Sequence, residues 1–138
     1  MTQPASQNIY GWDLVCTTDM TPDAAECGGR IVLANALARR LGTPRGTLIY
    51  DPNYGYDLGQ MLNADIKSSR DIAPIGAAID AEFLKDPRVY ASSTIVTFQN
   101  STLTTVSTVT PSAGPTFTLV LSVSSLNNQG VQILNVSP

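Results

Sequence analysis

Every charged side chain of this 138-residue chain lies within its first 88 residues. The last one is Arg88, and the fifty residues from Val89 to Pro138 contain no Asp, Glu, Lys or Arg. Natural sheets guard their exposed edges with Lys, inward-pointing charges or bulges. A β-rich segment without charges lacks the usual charged guards, so the sequence predicts that its strands meet a partner.

The charge-free segment has the composition and the apolar alternation of β-strands. Ser and Thr supply eighteen of its fifty residues, and β-branched side chains are frequent. Alternation is clearest in Thr116–Ser124, where one face carries Phe117, Leu119, Leu121 and Val123. A disordered Ser/Thr-rich stalk is one alternative and a small self-sufficient β-sandwich is another. The regular apolar alternation argues against disorder. The other predicted strands are Val89–Gln99, Thr102–Thr110 and Val131–Val136, the last of them an edge strand.

Two amphipathic helices are predicted upstream of Arg88. Apolar residues recur at steps of three and four between Arg30 and Leu41. Similar spacing predicts a helix over Asp71–Lys85, where Pro74 falls in the first turn and its missing N–H costs little. Thr21 has the character of a helix N-cap, although Gly28 and Gly29 could delay the start of the first helix.

Shorter elements are predicted around these helices. Ile9–Val15 is expected to be extended against the body, with Trp12 in the core and partner contact as the alternative. Thr47–Tyr50 is a strand candidate, and Leu58–Asn63 is expected to form one or two helical turns.

The predicted fold class is α+β, a small domain with two main helices and a C-terminal antiparallel β-sheet with an extendable edge. Its parts are an extended N-terminal segment (1–20), a helical docking body (21–88) and the charge-free β-strand region (89–138), all within one structural domain.

Composition excludes several classes of function. The net charge of −3 argues against nucleic acid as a partner, and the lack of a long apolar run argues against a membrane. The N-terminal sequence lacks signal-peptide features, which predicts synthesis in a cytoplasm and a soluble protein. The absence of His excludes Ser-His and Cys-His catalysis, and neither a metal nor a cofactor is expected. Cys16 and Cys27 are interpreted as buried or free thiols, with a disulfide as the alternative.

A carboxylate pair is the one catalytic apparatus that these residue types could assemble. A glycosidase would use Glu82 or Glu26 together with Asp51 or Asp57. The spacing of the carboxylates selects no particular pair, so the support for this hypothesis is weak.

The order of motifs in the body resembles that of a known family. An Arg-ended helix reaching Leu41 is followed by Thr43-Pro44-Arg45-Gly46, by Asp51-Pro52-Asn53-Tyr54-Gly55-Tyr56-Asp57-Leu58, and by a helix that closes on Asp86-Pro87-Arg88-Val89. This succession resembles the small baseplate wedge proteins, or sheath initiators, of contractile phage tails, which have relatives in type VI secretion and other contractile injection systems. The family usually has Glu-Pro-Arg where this chain has Asp86-Pro87-Arg88.

The resemblance implies a non-enzymatic structural protein of a virion tail baseplate. It would dock on wedge proteins, with the tail tube or hub as further contacts, and initiate the sheath by pairing strands with the first ring of the tail sheath protein. Another tail adaptor or terminator, or a baseplate-associated peptidoglycan-cleaving glycosidase, are the alternatives.

The residues expected to contact these partners lie in two groups. The docking body supplies Glu82, Asp86, Pro87 and Arg88, although an ion pair within the chain is the alternative interpretation of Asp86 and Arg88. The strands supply Phe117, Leu119, Leu121, Val131 and Ile133.

Overall fold

The chain is a small α+β domain in which helices cover one face of a four-stranded antiparallel sheet. The structure, a computed structural model, describes residues 9–15, 22, 23, 25–63, 69–125 and 130–138. In chain order the elements are β1 (Trp12–Leu14), β2 (Glu26–Gly28), α1 (Arg30–Gly42), α2 (Leu58–Asn63), α3 (Ser69–Phe83), β3 (Val89–Gln99), β4 (Thr102–Pro111), β5 (Phe117–Ser124) and β6 (Gln132–Ser137).

The main sheet is a meander in which each strand pairs with its neighbour in sequence, in the order β3-β4-β5-β6. A tight turn joins β3 to β4, where Asn100 and Ser101 both adopt positive φ. The register between β5 and β6 shifts between Val120 and Leu121, so that Leu134 is the extra residue of a bulge in β6. Within the described residues, β3 and β6 are therefore the two edges of this sheet.

Along β4 and β5, successive side chains alternate between the face of the sheet that the helices cover and the opposite face. The buried set of β5 comprises Phe117, Leu119, Leu121 and Val123, and it packs in one cluster with Leu33, Leu37 and Leu41 of α1 and with Ile75, Ile79 and Phe83 of α3. The outward set includes the exposed Val106 of β4 and Ile95 of β3. One face of the sheet is thus core, and the opposite face carries no charged residue.

A separate two-stranded ribbon precedes α1. β1 pairs antiparallel with β2, and Asp13 of β1 forms an exposed ion pair with Arg39 of α1 at 2.7 Å. Trp12 is 47% exposed, so the prediction that it belongs to the core is wrong. Its ribbon position leaves the indole at the surface because its register partner is Gly28, which offers no side chain to cover it.

Apart from Thr47–Tyr50, the predicted helices and strands are confirmed, with small differences at their ends. Helix α1 begins at Arg30, after the Gly29 position with φ of 70°, so β2 occupies the residues where an earlier start was considered. Thr21 lies outside the described residues. The predicted strand Thr47–Tyr50 is wrong, because these residues form turns closed by Thr47 N–H to Pro44 O and Asp51 N–H to Leu48 O.

Phe117, Leu119 and Leu121 were predicted to contact a partner, but in this fold their side chains are buried. Each side chain is at most 1% exposed, and β5 is flanked on both sides by other strands. Their alternation was predicted correctly, but the face they form lies against the helices of the same chain.

No helix in the part of the chain that the structure describes has the length and apolar character needed to cross a membrane.

Replacing Leu121 with Ala tests whether this face is core. The side chain is fully buried, so we expect Leu121→Ala to lower the free energy of unfolding by about 2–5 kcal/mol. The matched control is Leu134→Ala, at a leucine that is 58% exposed, where we expect a loss below about 1 kcal/mol. Urea denaturation measures both, and equal losses would contradict the assignment of Leu121 to the core.

Candidate functional site

The carboxylate of Glu82, in the last turn of α3, is buried and receives hydrogen bonds from four donors. Its Oε1 accepts from Gly55 N–H at 2.8 Å and from Arg40 Nη1 at 3.3 Å. Its Oε2 accepts from Lys85 Nζ at 2.7 Å and from Arg45 Nη2 at 3.4 Å. The residue is 1% exposed, so these contacts compensate for the loss of water around a charge. We refer to Glu82 and these four donors as the Glu82 hub.

The Glu82 hub holds the connection between α1 and α2 in a defined shape. Arg45 Nε also donates to Gly55 O at 3.1 Å, and Lys85 Nζ donates to Asn53 O at 2.7 Å. The guanidinium of Arg40 lies 4.5 Å from the centre of the Tyr54 ring, a cation–π contact. Gly55 is required here because it has φ of 105° and because a Cβ at this position would lie 2.2 Å from Thr43 O.

The surroundings of Glu82 favour its charged form. Burial acts to raise the pKa of Glu82, but the hydrogen bonds from Lys85 and Gly55 and the positive charge of Lys85 outweigh it. The pKa of Glu82 therefore lies below its ordinary value, and the side chain is an anion at neutral pH.

Asp86, Pro87 and Arg88 form a turn that is closed by an ion pair within the chain. Asp86 Oδ1 accepts from the backbone N–H and from Nε of Arg88, both at 3.0 Å, and Oδ2 accepts from Arg88 Nη2 at 2.8 Å. Burial acts to raise the pKa of Asp86, yet the hydrogen bonds and the charge of Arg88 lower it overall. The geometry therefore matches the alternative interpretation, a helix-end ion pair.

This turn also connects the helical part of the chain to the sheet. Ser112, directly after β4, donates its N–H to Arg88 O at 2.8 Å and its hydroxyl to Pro87 O at 3.1 Å. The end of α3 and the end of β4 are thereby held together at the point where the charged part of the chain meets the charge-free part.

The predicted docking residues are consequently unequal in accessibility. Glu82 and Asp86 are buried and engaged inside the chain, which leaves them little surface for a partner. Pro87 is exposed, and the Arg88 side chain is 34% exposed. The cations Arg45 and Lys85 are also partly exposed, so the accessible charge around the two buried carboxylates is positive.

The carboxylates considered for a glycosidase have other structural roles. A general acid in such an enzyme needs a raised pKa, whereas the pKa of Glu82 is lowered. Asp51 and Asp57 each accept a local backbone N–H, from Asn53 and Gln60 respectively, at 3.2 Å. Glu26 is exposed on β2. Among the described residues, no group of three His, Cys, Asp or Glu side chains is placed to hold a metal ion.

The predicted strand residues Val131 and Ile133 lie at the β6 end of the sheet. Val131 precedes β6 and packs against the core, with a methyl group 3.9 Å from the place a Cβ would occupy on Gly42. Ile133 pairs with Leu121 in register and is 37% exposed, and the adjacent Leu134 is 58% exposed. This edge presents apolar side chains and no charge.

One surface feature was missed by the sequence analysis. Leu48, Ile49 and Tyr50 form an exposed apolar loop, with Ile49 88% and Tyr50 100% exposed. An apolar triplet between two turn-forming sequences is the signal that could have indicated a loop. Cys27 carries a free thiol 3.7 Å from Asn35 Nδ2, and Cys16 lies outside the described residues.

A scan against models of known protein families finds no match, and a search of curated proteins finds no similar sequence.

The close approach at Gly55 yields a stability prediction. We expect Gly55→Ala to destabilise the fold by about 2–4 kcal/mol, because the new Cβ clashes with Thr43 O and the residue must keep a positive φ. Gly46→Ala is the control, since Gly46 has φ of 88° but open space around it. Its expected cost is about 1 kcal/mol. Thermal or urea unfolding of both variants isolates the steric part, and equal costs would contradict it.

Replacing Glu82 tests the hub. We expect Glu82→Gln to lower the free energy of unfolding at pH 7 by about 2–4 kcal/mol, because Arg40 and Lys85 lose their buried counter-charge. Because the pKa of Glu82 is depressed by folding, its contribution is full above the unfolded-state value of about 4 and is lost as the pH falls through the folded-state value. The gap between wild type and variant should therefore narrow below about pH 4.

The matched control for this experiment is Glu26→Gln, the same substitution at an exposed site. Because the side chain is exposed, we expect this substitution to change the free energy of unfolding by less than about 0.5 kcal/mol. A gap between wild type and Glu82→Gln that stays constant from pH 7 to pH 3 would show that the hub is not stabilised by the Glu82 charge.

Proposed function

We propose that this protein is a non-enzymatic assembly component of a contractile tail baseplate. It docks through its charged body on wedge proteins and offers the β6 edge of its sheet to a strand of the tail sheath protein. This location in a virion and these partners follow from the motif order that resembles the sheath-initiator family.

The observation that carries the proposal is the β6 edge. Its strand belongs to a charge-free sheet, pairs with β5 alone among the described residues, and exposes Ile133 and Leu134. In β-augmentation, main-chain hydrogen bonds supply adhesion and alternate side chains supply register. As an edge strand, β6 can offer both main-chain groups and alternate side chains to a partner. The bulge at Leu134 restricts that partner to a strand that follows the local twist.

The exposed cations of the docking body favour a partner that carries acidic groups. Arg88, Arg45 and Lys85 are each partly exposed beside the buried carboxylates that orient them. Guanidinium groups held in place lose little entropy when they bind a carboxylate. Pro87 and Arg88 are therefore the proposed contacts, with Glu82 and Asp86 acting as the groups that position the cations.

A non-enzymatic role agrees with the electrostatics of the only buried glutamate among the described residues. Glu82 is an anion fixed by three cations and one N–H, and it lacks the raised pKa of a proton donor.

A charged substitution on β6 tests strand pairing. We expect Leu134→Lys to reduce sheath nucleation on baseplates at least tenfold, because an edge Lys opposes the addition of a strand. The control is Ile95→Lys, which makes the same apolar-to-Lys change at a 68% exposed residue on the opposite edge strand. Electron microscopy of particles assembled with purified sheath protein counts the sheathed baseplates. Normal sheath on Leu134→Lys particles, with the variant present in the baseplate, would exclude β6 as the pairing edge.

A further inference from the structure

The outer edge of β3 is covered by a side chain of α3. On β3, Thr94 donates its backbone N–H to Asp80 Oδ2 at 3.1 Å. Asp80 Oδ1 accepts from the hydroxyl of Thr94 at 2.6 Å and from that of Ser92 at 2.7 Å. One carboxylate of α3 therefore takes three hydrogen bonds from the β3 edge.

The N–H of Thr94 belongs to the outer side of the β3 edge. In an antiparallel ladder, alternate residues direct their N–H and C=O groups toward the partner strand and away from it. Register between β3 and β4 is continuous from Ala91 to Gln99, so Thr94 shares its outward direction with Ser92 and Val96. Asp80 occupies the middle of the row of donors that an added strand would need.

Helix α3 comes close to this edge because Gly76 has no side chain. A Cβ on Gly76 would lie 3.1 Å from Thr94 O, so the glycine lets the helix backbone approach the strand. Beside this contact, Ile72, Ala73, Gly76 and Val96 line a groove of about 230 Å³. The edge is therefore covered at Thr94, by the helix backbone at Gly76 and by the side chain of Asp80, whereas a gap remains at Val96.

We propose that Asp80 is a specificity-determining residue that closes the β3 edge and leaves β6 as the single strand-pairing edge of the sheet. This inference rests on the proposed function for its biological meaning, since it explains why pairing is confined to one side. A charge beneath a strand edge opposes strand addition, because the added strand would have to displace or bury the carboxylate.

The consequence of one open edge is a limited assembly. A sheet open at both edges would make head-to-tail contacts with copies of itself, and such contacts that do not close into a ring extend into filaments. With β3 closed, two copies of the chain cannot stack head to tail in this manner.

The test uses the full chain alone and needs no baseplate or sheath protein. We expect Asp80→Ala to convert the protein from a monomer into a species of roughly twofold or greater mass in sedimentation velocity at high micromolar concentration. Hydrogen exchange should show added protection at Val96 and Phe98, the outward-directed amides next to Thr94. Asp80→Asn keeps a carbonyl oxygen that can accept from Thr94 N–H but removes the charge that opposes strand addition, so we expect it to associate less than Asp80→Ala.

Two further variants keep the test independent of misfolding and of net charge. Glu26→Ala removes an exposed negative charge from β2 and should remain monomeric. Adding Ile95→Lys to Asp80→Ala places a Lys on the exposed face of β3 and should restore the monomer. Circular dichroism confirms that each variant is folded.

The proposal is overturned if folded Asp80→Ala stays monomeric, if Glu26→Ala associates to the same extent, or if Ile95→Lys leaves the association unchanged. A failure of β6 to pair with sheath protein would remove the proposed function and leave these outcomes unaffected, so the two failures are distinguishable.

Discussion

The buried carboxylate of Glu82 lies where three parts of the helical layer meet. Arg40 reaches it from α1, Lys85 from the segment after α3, and Arg45 and Gly55 from the connection that leads into α2. Every one of these partners is polar, so none can be satisfied by the apolar core beneath. The relative positions of the helices that cover the sheet therefore depend on this electrostatic contact in addition to the packing of Leu37, Ile79 and Phe83.

A second buried carboxylate, that of Asp86, links the helical layer to the sheet. Asp86 closes the turn with Arg88, whose carbonyl receives Ser112 from the end of β4. Asp80 reaches β3 from the middle of α3. Three acidic residues on or just after α3 thus have separate structural roles. Glu82 connects the helices to each other, Asp86 closes the turn between α3 and the sheet, and Asp80 contacts the β3 edge. The sheet itself supplies none of these charges, which lie on the neighbouring helix or in the turn after it.

Local sequence patterns predicted most helices and strands correctly, but they did not predict which parts of the chain these elements contact. Periodicity was sufficient for α1, α3 and the strands β3 to β5, because each is long enough to show its repeat. The same alternation in Phe117, Leu119 and Leu121 could not reveal whether the apolar face meets a helix of this chain or a partner. Thr47–Tyr50 has strand-forming residues, but the hydrogen bonds of the flanking turns and the Glu82 hub override that propensity. The hub itself was invisible, since Arg40 and Glu82 are 42 residues apart in sequence.

Because the strands pair in chain order, the sheet can form and open one strand at a time. Each of the three ladders joins strands that are adjacent along the chain, so each closes a short loop at low entropic cost. Detachment of β6 would break its bonds to β5 and the packing of Val136 against the core, while β3, β4 and β5 could stay paired. Local opening of this kind is favoured at the outermost strand of a meander, where the fewest bonds are lost. A competing strand therefore has two routes to the sheet, by adding beyond β6 or by replacing it against β5.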